Sequence, residues 1–169
     1  MTRSIDTGTV HITAEVDDSG VGVITMDRPE RRNALTGAMF SGIGIALADF
    51  ETATDVRCVV LTGAGGAFSA GGDVKAFAEG GGASAGLGTF DEGVHAQRLN
   101  HKATSGVLFN MPKPTLAAIG GAAAGAGLSM ALACDLRIAS DNAVMTTAFA
   151  RVGLAGDYGG TWFLTQLVG

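Results

Sequence analysis

The chain is 169 residues long, 47% hydrophobic and 16% charged, with a net charge of −5. That is material for one globular domain with a real core, and too acidic a balance for a nucleic-acid surface. Cys58 and Cys134 both sit among Val, Leu and Ala with no CxxC or Cys/His spacing, which argues against a disulfide scaffold or a zinc site and fits a reducing cytoplasm.

The N-terminal MTRSIDTGTV has no apolar run, so no secretory signal is read there. Residues 11–16 and 21–26 carry apolar residues on either side of Asp18, Ser19 and Gly20, which predicts a β-hairpin. Arg28 and Pro29 break it. Thr36 can cap a helix running to about Ala53, with Met39, Phe40, Ile43, Leu47 and Phe50 at helical spacing on its core face. Residues 57–62 form a short strand, apolar enough to be buried on both faces as in a parallel sheet.

The stretch GGAFSAGGD (65–73) follows that strand, almost stripped of large side chains. A helical turn is expected over 73–79 and a low-complexity loop over 80–88. Residues 90–110 read as one helix with a charged outer face, on which His95 and His101 are surface histidines. Pro112 and Pro114 stop it. A strand over 116–119, a second glycine stretch GGAAAGAG and an apolar helix over 127–133 repeat the earlier pattern. Short strands over 136–139 and 144–146 and a helix over 159–168 complete the chain, with Asp135 tying a strand end. Pro114 to Cys134 carries no charge, but it consists mostly of Gly, Ala and Ser, which insert weakly, so tightly packed buried backbone is expected rather than a membrane span. No linker divides the chain, which reads as a single α/β domain, 1–169.

Bare backbone lets a ligand approach closely and meet N–H groups, most of all at a helix start. A phosphate cradle wants a Lys and a hydroxyl after its last glycine; here Gly72 and Asp73 follow Gly71, and an acid repels phosphate. The dinucleotide spacing G-x-G-x-x-A occurs only at 80–85, with no strand before it. The remaining use is an oxyanion: one N–H from each loop, converging on an oxygen that turns negative in the transition state. Residues 67–71, AFSAG, also approach the nucleophile elbow G-x-S-x-G around Ser69, but without its first glycine or an assigned His and acid.

The segments RPERRNAL (28–35), AFSAGGD (67–73), PKPTLAAIGGAAAGAGLSMALACD (112–135) and VGLAGDYGGTWFLTQLVG (152–169) together resemble the crotonase, or enoyl-CoA hydratase/isomerase, superfamily. The resemblance implies an α/β fold, a crotonase-like spiral of repeated β-β-α units, and an acyl-CoA thioester as ligand. It implies thioester-oxygen binding by the N–H groups of Gly72 and Ala126. Ala34, Leu35, Ala70, Gly71, Asp73, Gly125 and Ser129 match positions along the CoA and acyl path. No metal or separate cofactor is implied, since coenzyme A arrives as part of the substrate. A homotrimer or hexamer, without nucleic acid or membrane, is the expected assembly. Family members usually continue through a C-terminal helical lobe, so the chain is expected to stop before that lobe, and a truncated, non-catalytic CoA-binding protein is one alternative.

The pattern departs from the hydratases in one respect. Their two catalytic glutamates fall on Ser129 and near Phe149, neither of which is a carboxylate. Asp157 remains, at the place where isomerase-like and dehalogenase-like members carry an aspartate. One carboxylate suffices to move a double bond, taking a proton from one carbon and returning it to another. The competing role for Asp157 is to cap the helix that begins at Tyr158, as a capping role competes at Asp73. Ser129 can simply pack its helix.

Overall fold

The structure, a computed structural model, describes residues 2–73 and 89–169. The helical turn expected after Asp73 and the loop expected over 80–88 lie outside the described residues. The hairpin forms as the alternation demands: β2 (Ile12–Val16) runs antiparallel to β3 (Val21–Met26), and β1 (Arg3–Ser4) adds to its outer edge. Asp17 holds the turn, its Oδ1 accepting from the backbone N–H groups of Ser19 and Val21.

Helix α1 (Gly37–Thr52) starts where Thr36 accepts the Met39 N–H, and it lays Met39, Phe40, Ile43, Leu47 and Phe50 into the core. Gly22 on β3 lets it lie close: a Cβ there would stand 2.8 Å from the Phe50 ring. At the other end Lys113 donates to the carbonyls of Phe50 and Ala53, closing the helix from across the chain.

Strand β4 (Cys58–Gly63) then pairs parallel with β3, β6 (Thr115–Ile119) with β4, and β8 (Leu136–Ala139) with β6. The first sheet is thus ordered β1-β2-β3-β4-β6-β8. Parallel pairing is as expected for β4; burial on both faces is not, because its residues alternate between buried and half-buried. Asp135 does tie a strand end: its Oδ2 accepts from the Thr115 N–H and hydroxyl.

A second, smaller sheet arises inside the glycine stretches themselves. β5 (Ala67–Ser69), β7 (Ala122–Ala124) and β9 (Met145–Thr146) lie parallel in that order. Each strand of the large sheet from β4 onward is therefore followed by one of the small sheet. After β7 the chain enters helix α4 (Gly125–Ala133), whose residues are all buried. That alternation is the spiral of β-β-α units.

The helix expected over 90–110 is interrupted. Helix α2 (Phe90–His101), held by a capping box between Thr89 and Glu92, gives way to a π-helical turn (Lys102–Gly106) before α3 (Val107–Asn110). The chain ends in a 3-10 turn (Phe149–Val152) and helix α5 (Gly160–Val168). Cys58 and Cys134 are free thiols, the second buried and pushed up to about 12 by its apolar surroundings. Among the described residues no helix is long and apolar enough to cross a membrane.

Candidate active site

The two glycine stretches meet. Gly71 has φ +86°, and a Cβ on it would stand 2.7 Å from the Ala124 carbonyl oxygen and 3.4 Å from the Ala126 nitrogen. Only a residue without a side chain allows that approach, in a conformation that L residues rarely adopt. Gly72 forms a parallel bridge with Leu35: the Leu35 N–H donates to Gly71 O (2.8 Å) and the Asp73 N–H donates to Leu35 O (3.1 Å). Since successive peptide groups of an extended chain face opposite ways, the Gly72 N–H points away from Leu35. Ala126 lies in the first turn of α4, where N–H groups have no intrahelical partner, and the N-cap Ala124 has no side chain to supply one. The helix dipole adds partial positive charge at the same end. Both expected donors are thus brought to the junction of the loops.

A buried scaffold fixes the first loop. Asn33, fully buried at φ +55°, accepts the Arg28 N–H at 2.8 Å and donates through Nδ2 to the carbonyls of Ala64 (2.9 Å) and Ala67 (2.8 Å), with Phe68 O at 3.3 Å. Arg28 reaches over to Asp73, Nη1 to Oδ2 at 2.7 Å, and also donates to Ala34 O. Asp73 therefore organises the loop through an ion pair. Ser69 is fully buried, donating to Asn33 O (2.8 Å) and accepting the Gly71 N–H (3.1 Å). A hydroxyl so engaged, with no histidine beside it among the described residues, is a brace and not a nucleophile. Asn33 and Arg28 were part of a recognised segment but had no assigned role; an asparagine two residues before the Leu35 bridge, a residue type tolerant of positive φ, was the available signal.

Around the site the expected lining residues divide. Ala70 is exposed, Ala34 half-buried and Gly125 packed 3.7 Å from the Phe149 ring, measured from the position of a Cβ. Leu35 and Ser129 are buried. Ser129 donates to Gly125 O at 3.2 Å and sits directly beneath Gly160, so its side chain supports the site from behind. The Phe149 ring touches the same Gly160 position at 3.6 Å and Gly156 at 3.4 Å. The two positions where the hydratase glutamates fall are thus neighbours in space, both at the start of α5 and both without charge.

Asp157 stands in the turn that enters α5, and it does not cap that helix. The N-cap is Gly159, at φ +78°, with no side-chain cap bond; the turn is closed by the backbone, Gly160 N–H to Asp157 O at 2.9 Å. The helix begins at Gly160, one residue after the expected start at 159 and two after the Tyr158 start that a cap at Asp157 would give. Asp157 Oδ1 is buried with no hydrogen-bond partner among the described residues, and burial raises the carboxyl above the usual carboxylate range. Tyr158, at φ +49°, stacks flat on Phe40 with centroids 4.6 Å apart, its hydroxyl likewise buried and unpartnered among the described residues. Burial and the Asp157 charge both raise that phenol.

His101 corrects another expectation. It is half-buried, not a surface residue, with its ring 4.2 Å from the Tyr158 ring and its Nε2 3.4 Å from the Tyr158 nitrogen; His95 is exposed as expected. Burial lowers the His101 affinity for a proton. Nothing in the spacing of the helix pointed to this contact, since it depends on the turn after Phe149.

Comparison with known proteins shows the family. The family profile described as enoyl-CoA hydratase/isomerase matches residues 17–169. A protein of Rhodobacter capsulatus named probable enoyl-CoA hydratase is 43% identical over 150 residues, covering 89% of this chain and 54% of its own length. The 1,2-epoxyphenylacetyl-CoA isomerase of Escherichia coli is 35% identical over 153 residues, covering 90% and 56%. An enoyl-CoA hydratase homologue from Thermobifida fusca, solved in complex with acetoacetyl-CoA, superposes with a TM-score of 0.82 at 33% identity, covering 94% of this chain and 62% of that one. The chain thus spans about half the length of the curated relatives it matches.

Proposed function

Because this chain belongs to the enoyl-CoA hydratase/isomerase family, we propose that it binds an acyl-CoA thioester and shifts a carbon–carbon double bond through an enolate, with Asp157 carrying the proton. The observation that carries the proposal is the pairing of a half-buried carboxyl at Asp157, whose Oδ1 is buried without a partner among the described residues, with two hydratase-glutamate positions occupied by Ser129 and Phe149. The Gly72 and Ala126 N–H groups would take the thioester oxygen as it gains charge, each contributing roughly 3 kcal/mol to the transition state. Asp157 would remove a proton from Cα, become a carboxylic acid, and return the proton at Cγ of the dienolate. Its raised proton affinity suits both halves of that cycle better than an ordinary aspartate does.

Hydration needs a second acid-base group to activate water, and Ser129, buried and bonded to Gly125 O, is a poor candidate. A homotrimer or hexamer is the assembly we expect by family resemblance. Support also comes from the acetoacetyl-CoA complex of the Thermobifida fusca homologue. The test combines two measurements. Acetoacetyl-CoA should give a saturable near-ultraviolet enolate band with the wild type and with Asp157→Asn, reporting the oxygen site. Isomerisation of a β,γ-enoyl-CoA should fall roughly 10²–10⁴-fold in Asp157→Asn. Unchanged turnover in that variant overturns the assignment of the base; absence of the band in folded wild type overturns the thioester site and favours a non-catalytic protein.

A further inference from the structure

We propose that His101 is a positioning residue for Asp157, holding its carboxyl in place by gripping the peptide group between Asp157 and Tyr158. The inference rests on the assignment of Asp157 as the proton carrier. One peptide plane contains both Asp157 C=O and Tyr158 N–H. Its carbonyl accepts the Gly160 N–H at 2.9 Å, from the first turn of α5, and its N–H faces His101 Nε2 at 3.4 Å, from the end of α2. The plane is thus held from two sides by two different helices. With the plane fixed, the Cα of Asp157 is fixed with it, which restricts the directions in which the side chain can leave the backbone.

The next residue needs such a grip. Tyr158 sits at φ +49°, a left-handed conformation that a non-glycine residue keeps only where its surroundings impose it. Phe40 and His101 both pack on its ring. A backbone N–H only donates, so Nε2 must be the lone-pair nitrogen and Nδ1 must carry the proton of a neutral imidazole. The half-buried setting, which disfavours the imidazolium, agrees with that form.

The helix is built around this contact. His101 is the last residue before the π-helical turn, and its carbonyl accepts the Ser105 hydroxyl at 3.3 Å, while a Cβ on Gly106 would stand 3.2 Å from the same oxygen. The wider π turn thus follows directly on the residue whose imidazole meets the Tyr158 N–H.

Three proteins test this: wild type, His101→Phe, which keeps a ring against Tyr158 and loses the acceptor, and His101→Gln, whose side-chain oxygen can reach the Nε2 position. His101→Phe is expected to lower kcat on a β,γ-enoyl-CoA by roughly 10–100-fold with KM within about threefold of wild type, and His101→Gln to recover most of kcat. The Asp157 carboxyl band, identified by infrared difference against Asp157→Asn, should move in His101→Phe and return in His101→Gln. Should His101→Phe misfold, His101→Leu against His101→Gln makes the same comparison. Wild-type kcat and an unmoved band in His101→Phe overturn the proposal. So does an equal kcat loss in the Phe and Gln variants with the band unmoved, which would give the imidazole a proton-transfer role of its own. If Asp157→Asn itself retains turnover, the base assignment fails, and the carboxyl band still reports whether His101 holds Asp157.

Discussion

Around Gly71 the polar side chains are committed: Asn33 holds the carbonyls of Ala64 and Ala67, Ser69 bridges Asn33 to Gly71, and Arg28 is paired with Asp73. Around Asp157, by contrast, Asp157 Oδ1 and Tyr158 OH are buried without partners among the described residues, and Tyr158 is held at positive φ. The two regions are only a helix start apart, since Gly125 and Gly160 both touch Phe149. On the proposed function, the difference follows from what each must do. Donors that receive a developing charge work best when they need no rearrangement, so the fold spends hydrogen bonds on rigidity there. A carboxyl that exchanges a proton with a ligand has to keep an oxygen uncommitted, and burying it so costs stability.

The largest effect is expected from spoiling the rigid half. Gly71→Val adds a branched Cβ at φ +86° against the Ala124 carbonyl, forcing the loop away from α4 and the two N–H groups apart. Activity should drop by roughly 10²–10³-fold, as for loss of one oxyanion donor, and the acetoacetyl-CoA enolate band should weaken with it while far-ultraviolet circular dichroism stays native. A full-strength band in this variant would separate Gly71 from the oxygen site.

Asn33→Ala tests whether that rigidity is supplied from a distance. It leaves the Ala67 carbonyl without its partner in a buried setting, and the Arg28 N–H and Ala64 carbonyl in a part-buried one. Each such group costs about 1–3 kcal/mol when stranded, and for a chain of this size each kcal/mol is worth roughly 2–4 °C in Tm. A clear fall in Tm together with a smaller loss of activity than in Gly71→Val is the expected result. An unchanged Tm would mean that the Arg28–Asp73 pair alone holds the loop.

The same contrast explains which parts were legible in the sequence. The hairpin, α1 with its Thr36 cap and the parallel strands β4 and β6 follow from local periodicity and capping chemistry, which act over a few residues. The small sheet was hidden because β5 and β7 are three-residue strands of Ala, Ser and Phe inside glycine stretches, too short to show a period of two. The proposed donors Gly72 and Ala126 were named from the ordered motifs around them, and the structure brings their loops together. Asn33 was missed because its partners lie about thirty residues away. Asp157 was legible as an acid, but its competing role as a cap failed on a backbone detail: Gly159 takes the left-handed N-cap position and the turn closes through carbonyl oxygen. His101 was misplaced because the π turn and the left-handed Tyr158, which bring it to the site, leave no mark in composition or spacing.

The smallest effect is also the one that most directly tests the cost of the uncommitted half. Burial raises the Asp157 carboxyl in the folded protein above its unfolded value. Well below the ordinary aspartate range the group is protonated in both states and carries no penalty. As pH rises through that range the unfolded chain ionises first, so folding loses free energy until the folded carboxyl also gives up its proton. Asp157→Asn removes the ionisation, so it should raise Tm relative to wild type at pH 7, by about 2–4 °C for each kcal/mol relieved, and this gain should shrink toward zero near about pH 3. Differential scanning calorimetry of both proteins across that range reads it directly. A variant that lost turnover yet gained stability would mark Asp157 as a group held for chemistry against the preference of the fold. A variant less stable than wild type at pH 7 would instead mean that the ionised carboxyl has a favourable partner, and the contrast between the two regions would disappear.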